Sequence, residues 1–196
     1  MCTAAFVKRH IWSLSRGVLF TTRDVVSCGS RAAVDQTLYR LVKCGEIIRL
    51  ARGVFVRHDW GLALPSALEL ATVKADSFAR KILTHGADAA KALGLVALGN
   101  KEPTYITSGR SSSFRFGDTV IHFKGSSPRK MCRGDRQEAL LIRSLWHLGS
   151  EECKPSAVST ARSSIGRYER QVLRQSGSMM PAWMWRHFHG LIPALR

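Results

Sequence analysis

Acidic residues are scarce in this chain and scattered along it. Only 14 of the 196 residues are Asp or Glu, against 30 Lys and Arg, and the formal net charge is +16. No pair of carboxylates marks an obvious metal or acid–base site, which argues against an enzyme. The cations are spread throughout, since residues 1–60 carry 10 Lys+Arg and 4 Asp+Glu, residues 61–150 carry 13 and 7, and residues 151–196 carry 7 and 3. Such a basic chain most often binds nucleic acid.

Long apolar runs and metal-spaced cysteines are also missing. No segment is apolar over the length that a membrane helix needs, and Lys8, Arg9 and His10 interrupt the N-terminal segment too early for a secretory signal. The five cysteines, at positions 2, 28, 44, 132 and 153, show no metal-ligand spacing. We therefore expect a cytoplasmic protein with reduced thiols, no membrane association, no metal and no cofactor.

Three local patterns that can indicate chemistry are incomplete. His187 and His189 are close in sequence, but no Cys or carboxylate follows at ligand spacing. Cys132 lies in a basic loop without an identifiable histidine partner. The run 108–113 is rich in Gly and Ser but lacks the Gly-Lys-Ser/Thr ending of a phosphate-binding P-loop. None of the three predicts a catalytic residue.

The stretch 20–57 has the residue order of a winged helix-turn-helix. A short helix over 23–26, capped by Thr21 or Thr22, is followed by a turn at Gly29. A longer helix then begins after Ser30, a good N-cap, and stops at Gly45. Its apolar residues recur at helical spacing on one face, at Val34, Leu38, Leu41 and Val42. This pattern predicts a recognition helix over 31–44 for the major groove, or else an ordinary amphipathic helix with a solvated charged face.

A β-hairpin is predicted directly after this helix. The β-rich runs 47–50 and 54–56 are joined at Ala51-Arg52-Gly53, where glycine can adopt positive φ. Arginines at 49, 52 and 57 decorate the hairpin, as expected of a wing over 47–56 that lies on a phosphate backbone. The candidate DNA-contacting residues lie on or beside the two predicted helices and on the wing. They are Thr22, Arg23, Ser30, Arg31, Ala32, Asp35, Gln36, Tyr39, Arg40, Lys43, Arg49 and Arg52.

The remaining pattern predicts an α+β fold in two domains, with boundaries at 1–59 and 61–196. A first helix over 3–14, with Ala5, Phe6, Ile11 and Leu14 as core candidates, completes the N-terminal winged helix-turn-helix. The second domain is expected to be mixed α+β, with helices over 66–83 and 136–148, the latter capped by Asp135. Runs 103–107, 113–116 and 119–124 predict a small antiparallel sheet.

Two stretches of the chain resemble a known family. The run from Ser30 to Val56 is similar to the winged helix of AbiEi-type antitoxins and their DUF6088-type relatives, and the segments 89–95 and 105–110 are similar to the second domain of that family. The resemblance spans 18–130, with Phe55 where relatives often carry Tyr. It implies a DNA-binding repressor of its own operon that is also the antitoxin of a nucleotidyltransferase-like toxin, in a phage-defence setting. It also implies that Ser30, Arg31, Ala32, Asp35, Gln36 and Arg40 face DNA and that Arg49 and Arg52 form the wing contact.

Two other functions remain open from the residues alone. A broad basic surface also suits structured RNA, so an RNA-binding module is an alternative to a repressor. An enzyme that acts on nucleic acid, using the winged helix only for targeting, is the other. The region 131–196 resembles nothing familiar. Its Met- and Trp-rich end fits either a closing core helix or a binding face for a partner protein.

Overall fold

The chain forms a mixed α+β fold, which confirms the expected class. The computed structural model describes residues 2–58, 61, 63–131, 134–177 and 180–191, and the side chains of 162 and 187–191 are outside that description. Within these residues the helices are α1 (Thr3–Ser13), α2 (Arg31–Lys43), α3 (Ala67–Asp76), α4 (Gly86–Ala92), α5 (Pro128–Met131), α6 (Gln137–Glu152), α7 (Pro155–Ser163), α8 (Arg167–Arg174) and α9 (Ala182–Leu191). The strands are β1 (Leu19–Thr21), β2 (Ile47–Ala51), β3 (Val54–Arg57), β4 (Ile82–Thr84), β5 (Thr104–Thr107), β6 (Ser112–Phe116) and β7 (Thr119–Gly125).

The strands form two small sheets within the described residues. The first has three antiparallel strands in the order β1-β3-β2, with Phe20 opposite Phe55 and Ile48 opposite Val56. The second has four strands in the order β4-β5-β7-β6. Strands β5, β6 and β7 agree with the runs predicted from the sequence, whereas β1 and β4 were not predicted because three apolar or polar residues carry no periodic signal.

By its internal contacts the chain divides into two compact units. The first comprises Met1–Ile82 and Ser112–His122, and the second comprises Leu83–Ser111 and Phe123–Arg196. In this division α3 belongs with the first unit. The boundary predicted from the sequence falls at 59–61, where residues 59 and 60 lie outside the described part of the chain, and it stays a prediction.

The core of the first unit joins α1, α2 and the three-stranded sheet. Its buried residues are all apolar. They are Val7, Ile11, Phe20, Val25, Val34, Leu38, Leu41, Ile47 and Phe55. The rings of Phe20 and Phe55 are stacked with 5.7 Å between centroids. Phe6 was expected in this core, but it is 39% exposed. The buried stripe of α1 runs through Val7 and Ile11 instead, one helical turn apart, which places Phe6 outside it.

The short helix expected over 23–26 is replaced by a turn followed by a 3-10 helix, Val26–Cys28. The Asp24 carboxylate accepts hydrogen bonds from the Thr21 backbone N–H at 2.6 Å and from the Thr21 hydroxyl at 3.1 Å. These bonds close a tight turn directly after β1, and a local side-chain bond of this kind competes with helix formation. Val25 is fully buried there and anchors the turn to the core.

Helix α3 is shorter than the predicted span 66–83. A capping box starts it, because the Ser66 hydroxyl accepts from the Glu69 N–H and the Glu69 carboxylate accepts from the Ser66 N–H. It ends at Asp76, and Ala79 then adopts a positive φ of 53°. The residues from Ile82 to Thr84 form β4 instead of a further helical turn. Tertiary pairing of the strand therefore overrides the helical pattern of the sequence.

The core of the second unit is built mainly from α6 to α9. Its buried residues are Leu141, Ile142, Leu145, Cys153, Val158, Ala161, Ile165, Leu173, Met180 and Met184. Asp135 was expected to cap α6, but Arg136 holds the N-cap position without a side-chain bond. The Asp135 carboxylate instead accepts hydrogen bonds from the Thr84 N–H and hydroxyl and from Arg143. A stronger charge-assisted bond to Arg143 thus takes the place of a helix cap.

Candidate nucleic-acid interface

Helix α2 begins and ends where its capping residues dictate. The Ser30 hydroxyl accepts a hydrogen bond from the Ala33 N–H at 3.3 Å. At the other end Gly45 has φ +71°, its N–H donates to Val42 O at 3.0 Å, and the Glu46 N–H donates to Leu41 O at 2.9 Å. This is a Schellman ending, which satisfies the last carbonyls and turns the chain at once into β2. The helix and the following hairpin are therefore joined by a short, well-defined link.

The two faces of α2 differ sharply in exposure. Val34, Thr37, Leu38 and Leu41 are buried against the core of the first unit. The exposed residues carry most of the polar groups of the helix, and they are Arg31, Ala32, Asp35, Gln36, Tyr39, Arg40 and Lys43. Tyr39 is 62% exposed, which is unusual for so large a ring and leaves its face and hydroxyl open to a partner. The outward face therefore has the hydrogen-bonding groups and cations that contacts to base edges and phosphates require.

The β2–β3 hairpin presents two arginines beside this helix. Its turn contains Gly53 at φ +77°, and Arg49 and Arg52 are both exposed. The register shifts between Arg49 and Ala51, so a bulge lies on the strand that carries Arg49. The Thr22 N–H donates to Gly53 O at 3.1 Å, and Thr22 is only 7% exposed. Thr22 thus holds the hairpin turn in place and does not present its side chain outward.

A concave site of about 290 Å³ lies between α2 and the hairpin. Six of the candidate residues line it, namely Thr22, Arg31, Asp35, Tyr39, Arg49 and Arg52. On its helical side the Arg31 Nε donates to Asp35 Oδ2 at 2.8 Å, one turn along α2. On its hairpin side neither Arg49 nor Arg52 forms an ion pair within the described residues. The structure therefore brings together cations that are separated by about twenty residues in sequence and leaves those on the hairpin able to pair with phosphate.

Lys74 belongs to the same cationic group, although no sequence pattern marks it as a candidate. Its Nζ donates to the Arg52 carbonyl oxygen and lies 5.5 Å from the centre of the Phe114 ring. Partial burial, and then the charges of Arg52 and Arg49, lower the pKa of the Lys74 ammonium. The charges of Arg49 and Arg52 thus disfavour the charged form of Lys74, and an anion bound beside them would offset this effect. Lys74 was missed because it lies on α3, and only folding brings it to the hairpin.

The other candidate residues lie outside this concavity. Ala32, Gln36, Arg40 and Lys43 are on the exposed face of α2 but do not line it. Ser30 is exposed, and its hydroxyl is engaged in capping. Arg23 is exposed, with its guanidinium 5.3 Å from the centre of the Phe78 ring. Apart from Ser30 and Arg23, the candidates thus line the concavity or form a neighbouring outward strip of α2.

One protein family has a model that matches this chain, over residues 6–171, and its description is a family of unknown function, DUF6088. The chain belongs to the DUF6088 family. No curated protein and no solved structure matches it. The matched span includes the whole concavity and Lys74. The family description assigns no activity, so the AbiEi-type antitoxin role implied by the resemblance stays a prediction.

The remaining polar groups of this DUF6088 protein bear on metal binding, membrane association and catalysis. Among the described residues, no cluster of three or more His, Cys, Asp or Glu has the arrangement to hold a metal ion. No helix in the described ranges is long and apolar enough to cross a membrane. Cys132 and the side chains of His187 and His189, which the sequence raised as chemical candidates, lie outside the described residues.

Proposed function

We propose that this DUF6088 protein is a sequence-specific DNA-binding protein with an N-terminal winged helix-turn-helix. Helix α2 enters the major groove with its outward strip, and the β2–β3 hairpin lies on the phosphate backbone as a wing. The observation that carries the proposal is the side-by-side placement of the exposed polar face of α2 and the exposed arginines of the hairpin around one concavity. Base readout and phosphate contact are thus assigned to adjacent elements.

The order of elements in the first unit supports this assignment. Helix α1, strand β1, helix α2 and the β2–β3 hairpin follow one another in the order typical of winged helices, and β1 pairs with β3 in an antiparallel sheet. The turn over 22–25 and the 3-10 helix Val26–Cys28 occupy the place of the first helix of the helix-turn-helix. The close approach of this segment to α1 is visible at Gly29, where a Cβ would lie 2.3 Å from the Thr3 hydroxyl oxygen.

The wider role follows from the resemblance to AbiEi-type antitoxins. We infer that the protein acts in the cytoplasm as a repressor of its own operon and as the antitoxin of a nucleotidyltransferase-like toxin. DNA binding is assigned to the first unit. Neutralisation of the toxin requires a surface beyond the DNA reader, and we assign it to the second unit, which has its own core around α6 to α9.

The test of DNA binding compares three nucleic acids at equal salt. Fluorescence anisotropy of the full chain is measured with a duplex from its own promoter, with a random duplex of equal length and with a structured RNA. A sequence-specific repressor binds the promoter duplex at least about a thousandfold more tightly than random DNA. Equal affinity for both duplexes would reject sequence-specific readout, and tighter binding of the RNA would favour the RNA-binding alternative.

The antitoxin role is tested separately by co-expression with the toxin gene adjacent in the operon. The wild-type chain should restore growth, and so should a variant with Arg49→Ala and Arg52→Ala, because those residues are assigned to DNA. Loss of protection in that variant would place toxin neutralisation on the DNA-binding surface, and failure of the wild type to protect would remove the antitoxin role.

A further inference from the structure

The second unit contains a cavity of about 300 Å³ that is surrounded by nitrogen donors. His85 lies at the start of α4, Lys124 near the end of β7 and Lys130 on α5, while Arg143 and His147 come from α6. Trp146 forms part of the wall. The sequence pattern assigns none of these residues to a site, because more than sixty positions separate His85 from His147. The fold gathers them from four separate elements.

Close packing of α4 on α6 determines the geometry of this cavity. A Cβ added at Gly86 would lie 2.6 Å from Arg143 O and 2.9 Å from the His147 Cβ. Only glycine therefore allows the two helices to approach this closely. As a result the rings of His85 and His147 meet edge to face, with 5.9 Å between their centroids.

Hydrogen bonds fix which nitrogen of His85 carries the proton. The Asn100 Nδ2 donates to Asp88 Oδ2 at 2.8 Å, so this atom is the amino nitrogen of the Asn100 side chain. The same Asn100 Nδ2 lies 3.0 Å from His85 Nδ1. The Ala87 N–H also donates to His85 Nδ1, at 3.2 Å. Because Nδ1 accepts from two donors, the proton of the neutral ring is on Nε2. His85 thus keeps one N–H available for a ligand.

The electrostatic environment of the cavity is positive. Burial, and then the charges of Lys124 and His147, lower the pKa of His85. Lys124 and Lys130 are exposed at the rim, and within the described residues neither is paired with a carboxylate. The Lys130 ammonium lies 5.1 Å from the centre of the Trp146 ring. Arg143 is 4% exposed and bonded to Asp135, so its charge is largely balanced. Among the described residues that line the cavity, Lys124 and Lys130 therefore carry charges that no carboxylate balances.

We propose that this cavity binds a phosphate group carried by a molecule of about nucleotide size, with Lys124 and Lys130 bonded to phosphate oxygens and His85 donating from Nε2. The lining donors come from four different elements around the cavity, an arrangement that suits the several terminal oxygens of a phosphate better than the planar pair of a carboxylate. The volume is at the lower end of ligand cavities, roughly 300–1,000 Å³, and holds a nucleotide but no duplex. The site shares no lining residue with the concavity between α2 and the hairpin.

The test measures binding of defined small probes to the full chain by calorimetry and by NMR of the imidazole resonances. The probes are inorganic phosphate, adenosine monophosphate and adenosine, which lacks the phosphate. The monophosphate should bind and should shift the His85 and His147 signals, while those of His10 and His58 stay in place as internal controls. Adenosine should not bind. Equal affinity for inorganic phosphate and for the monophosphate would overturn the nucleotide-sized carrier, because phosphate alone would then account for the binding.

Matched variants connect this binding to the cavity. Lys124→Gln should weaken the binding of adenosine monophosphate by about tenfold, since the substitution removes one charge-assisted hydrogen bond. Lys154→Gln removes the same charge from an exposed position that does not line the cavity, and it should leave affinity unchanged. A short single strand with a 5′-phosphate, compared with the same strand ending in a hydroxyl, shows whether a strand end is the source of the phosphate.

Several outcomes would overturn the proposal. One is that adenosine and its monophosphate bind with equal affinity. Another is that no phosphate probe binds. The third is that Lys124→Gln and Lys154→Gln weaken the binding of adenosine monophosphate equally. Promoter binding, measured in parallel, should be the same for Lys124→Gln and the wild type. A failure of the phosphate site is thereby distinguished from a failure of the DNA-binding proposal.

Discussion

Removal of the two hairpin arginines tests the wing most directly. Arg49 and Arg52 are exposed and, within the described part of the chain, form no ion pair, so each is free to neutralise one phosphate. Each such contact contributes about 0.9 to the slope of log affinity against log salt concentration. The double variant Arg49→Ala/Arg52→Ala should therefore lower that slope by about 1.8 on any duplex.

The magnitude is large enough to measure by fluorescence anisotropy. Between about 50 and about 200 mM salt, one lost contact changes the ratio of the two affinities by about 3.5-fold, and two change it by about twelvefold. Lys8→Ala is the matched control, because Lys8 lies on α1 in the same unit and its ammonium is 3.0 Å from Glu46 Oε1, outside the concavity. It removes one positive charge without removing a proposed phosphate contact, and it should change the slope much less.

Two results would refute this reasoning. An unchanged slope in the double variant would place the hairpin away from the phosphate backbone. A change in Lys8→Ala of about half the size expected for the double variant, and so equal per positive charge removed, would mean that the slope reports net charge and not specific contacts. Circular dichroism of the variants should match the wild type, since both arginines are exposed and neither contributes to the core.

Three further changes have expected outcomes, and one position has an expected pH dependence. Gln36→Ala should reduce the preference for promoter over random DNA by about 1–3 kcal/mol, and equal weakening on both duplexes would contradict base readout. Ala79→Gly should raise the free energy of unfolding by up to about 1 kcal/mol, because φ is +53° there, and a loss of stability would argue against that backbone conformation. Gly86→Ala should lower it by about 1–3 kcal/mol, through the clash with Arg143 O. Burial, and then the charges of Lys124 and His147, lower the pKa of His85 in the folded chain. Below a pH of about 6.5 this residue therefore binds more protons in the unfolded chain than in the folded chain. The wild type should then lose more stability than His85→Asn as the pH falls from about 7.5 to about 5.5, in denaturant titrations.

The parts of the fold that the sequence predicts are those with local determinants. Helix α2 was predicted within one residue because Ser30 and Gly45 determine its ends and its apolar residues repeat at helical spacing. The β2–β3 hairpin was predicted because β-rich runs flank a glycine that adopts positive φ. The exposed face of α2 follows directly from that spacing.

The parts that the sequence does not predict depend on contacts between distant residues. Lys74 reaches the hairpin through the packing of α3, and His85 meets His147 through the packing of α4 on α6. Asp135 has the sequence position of a helix cap, yet Thr84 and Arg143 compete for its carboxylate and prevail. To predict any of these contacts, one must know where a partner many residues away lies in the fold. Hydrophobic periodicity and capping patterns describe only neighbouring residues and carry no such information.

The two faces of α2 also bear on how proteins of this family can diverge. Substitutions at Ala32, Gln36 or Arg40 remove no buried contact, and exposed changes of this kind usually alter stability by less than about 0.5 kcal/mol. Where α2 reads bases as proposed, a relative can acquire a new target sequence by changing these positions alone. The hairpin arginines would meanwhile continue to supply affinity that does not depend on base sequence. If α2 reads bases as proposed, the target sequence can therefore change with little effect on folding stability.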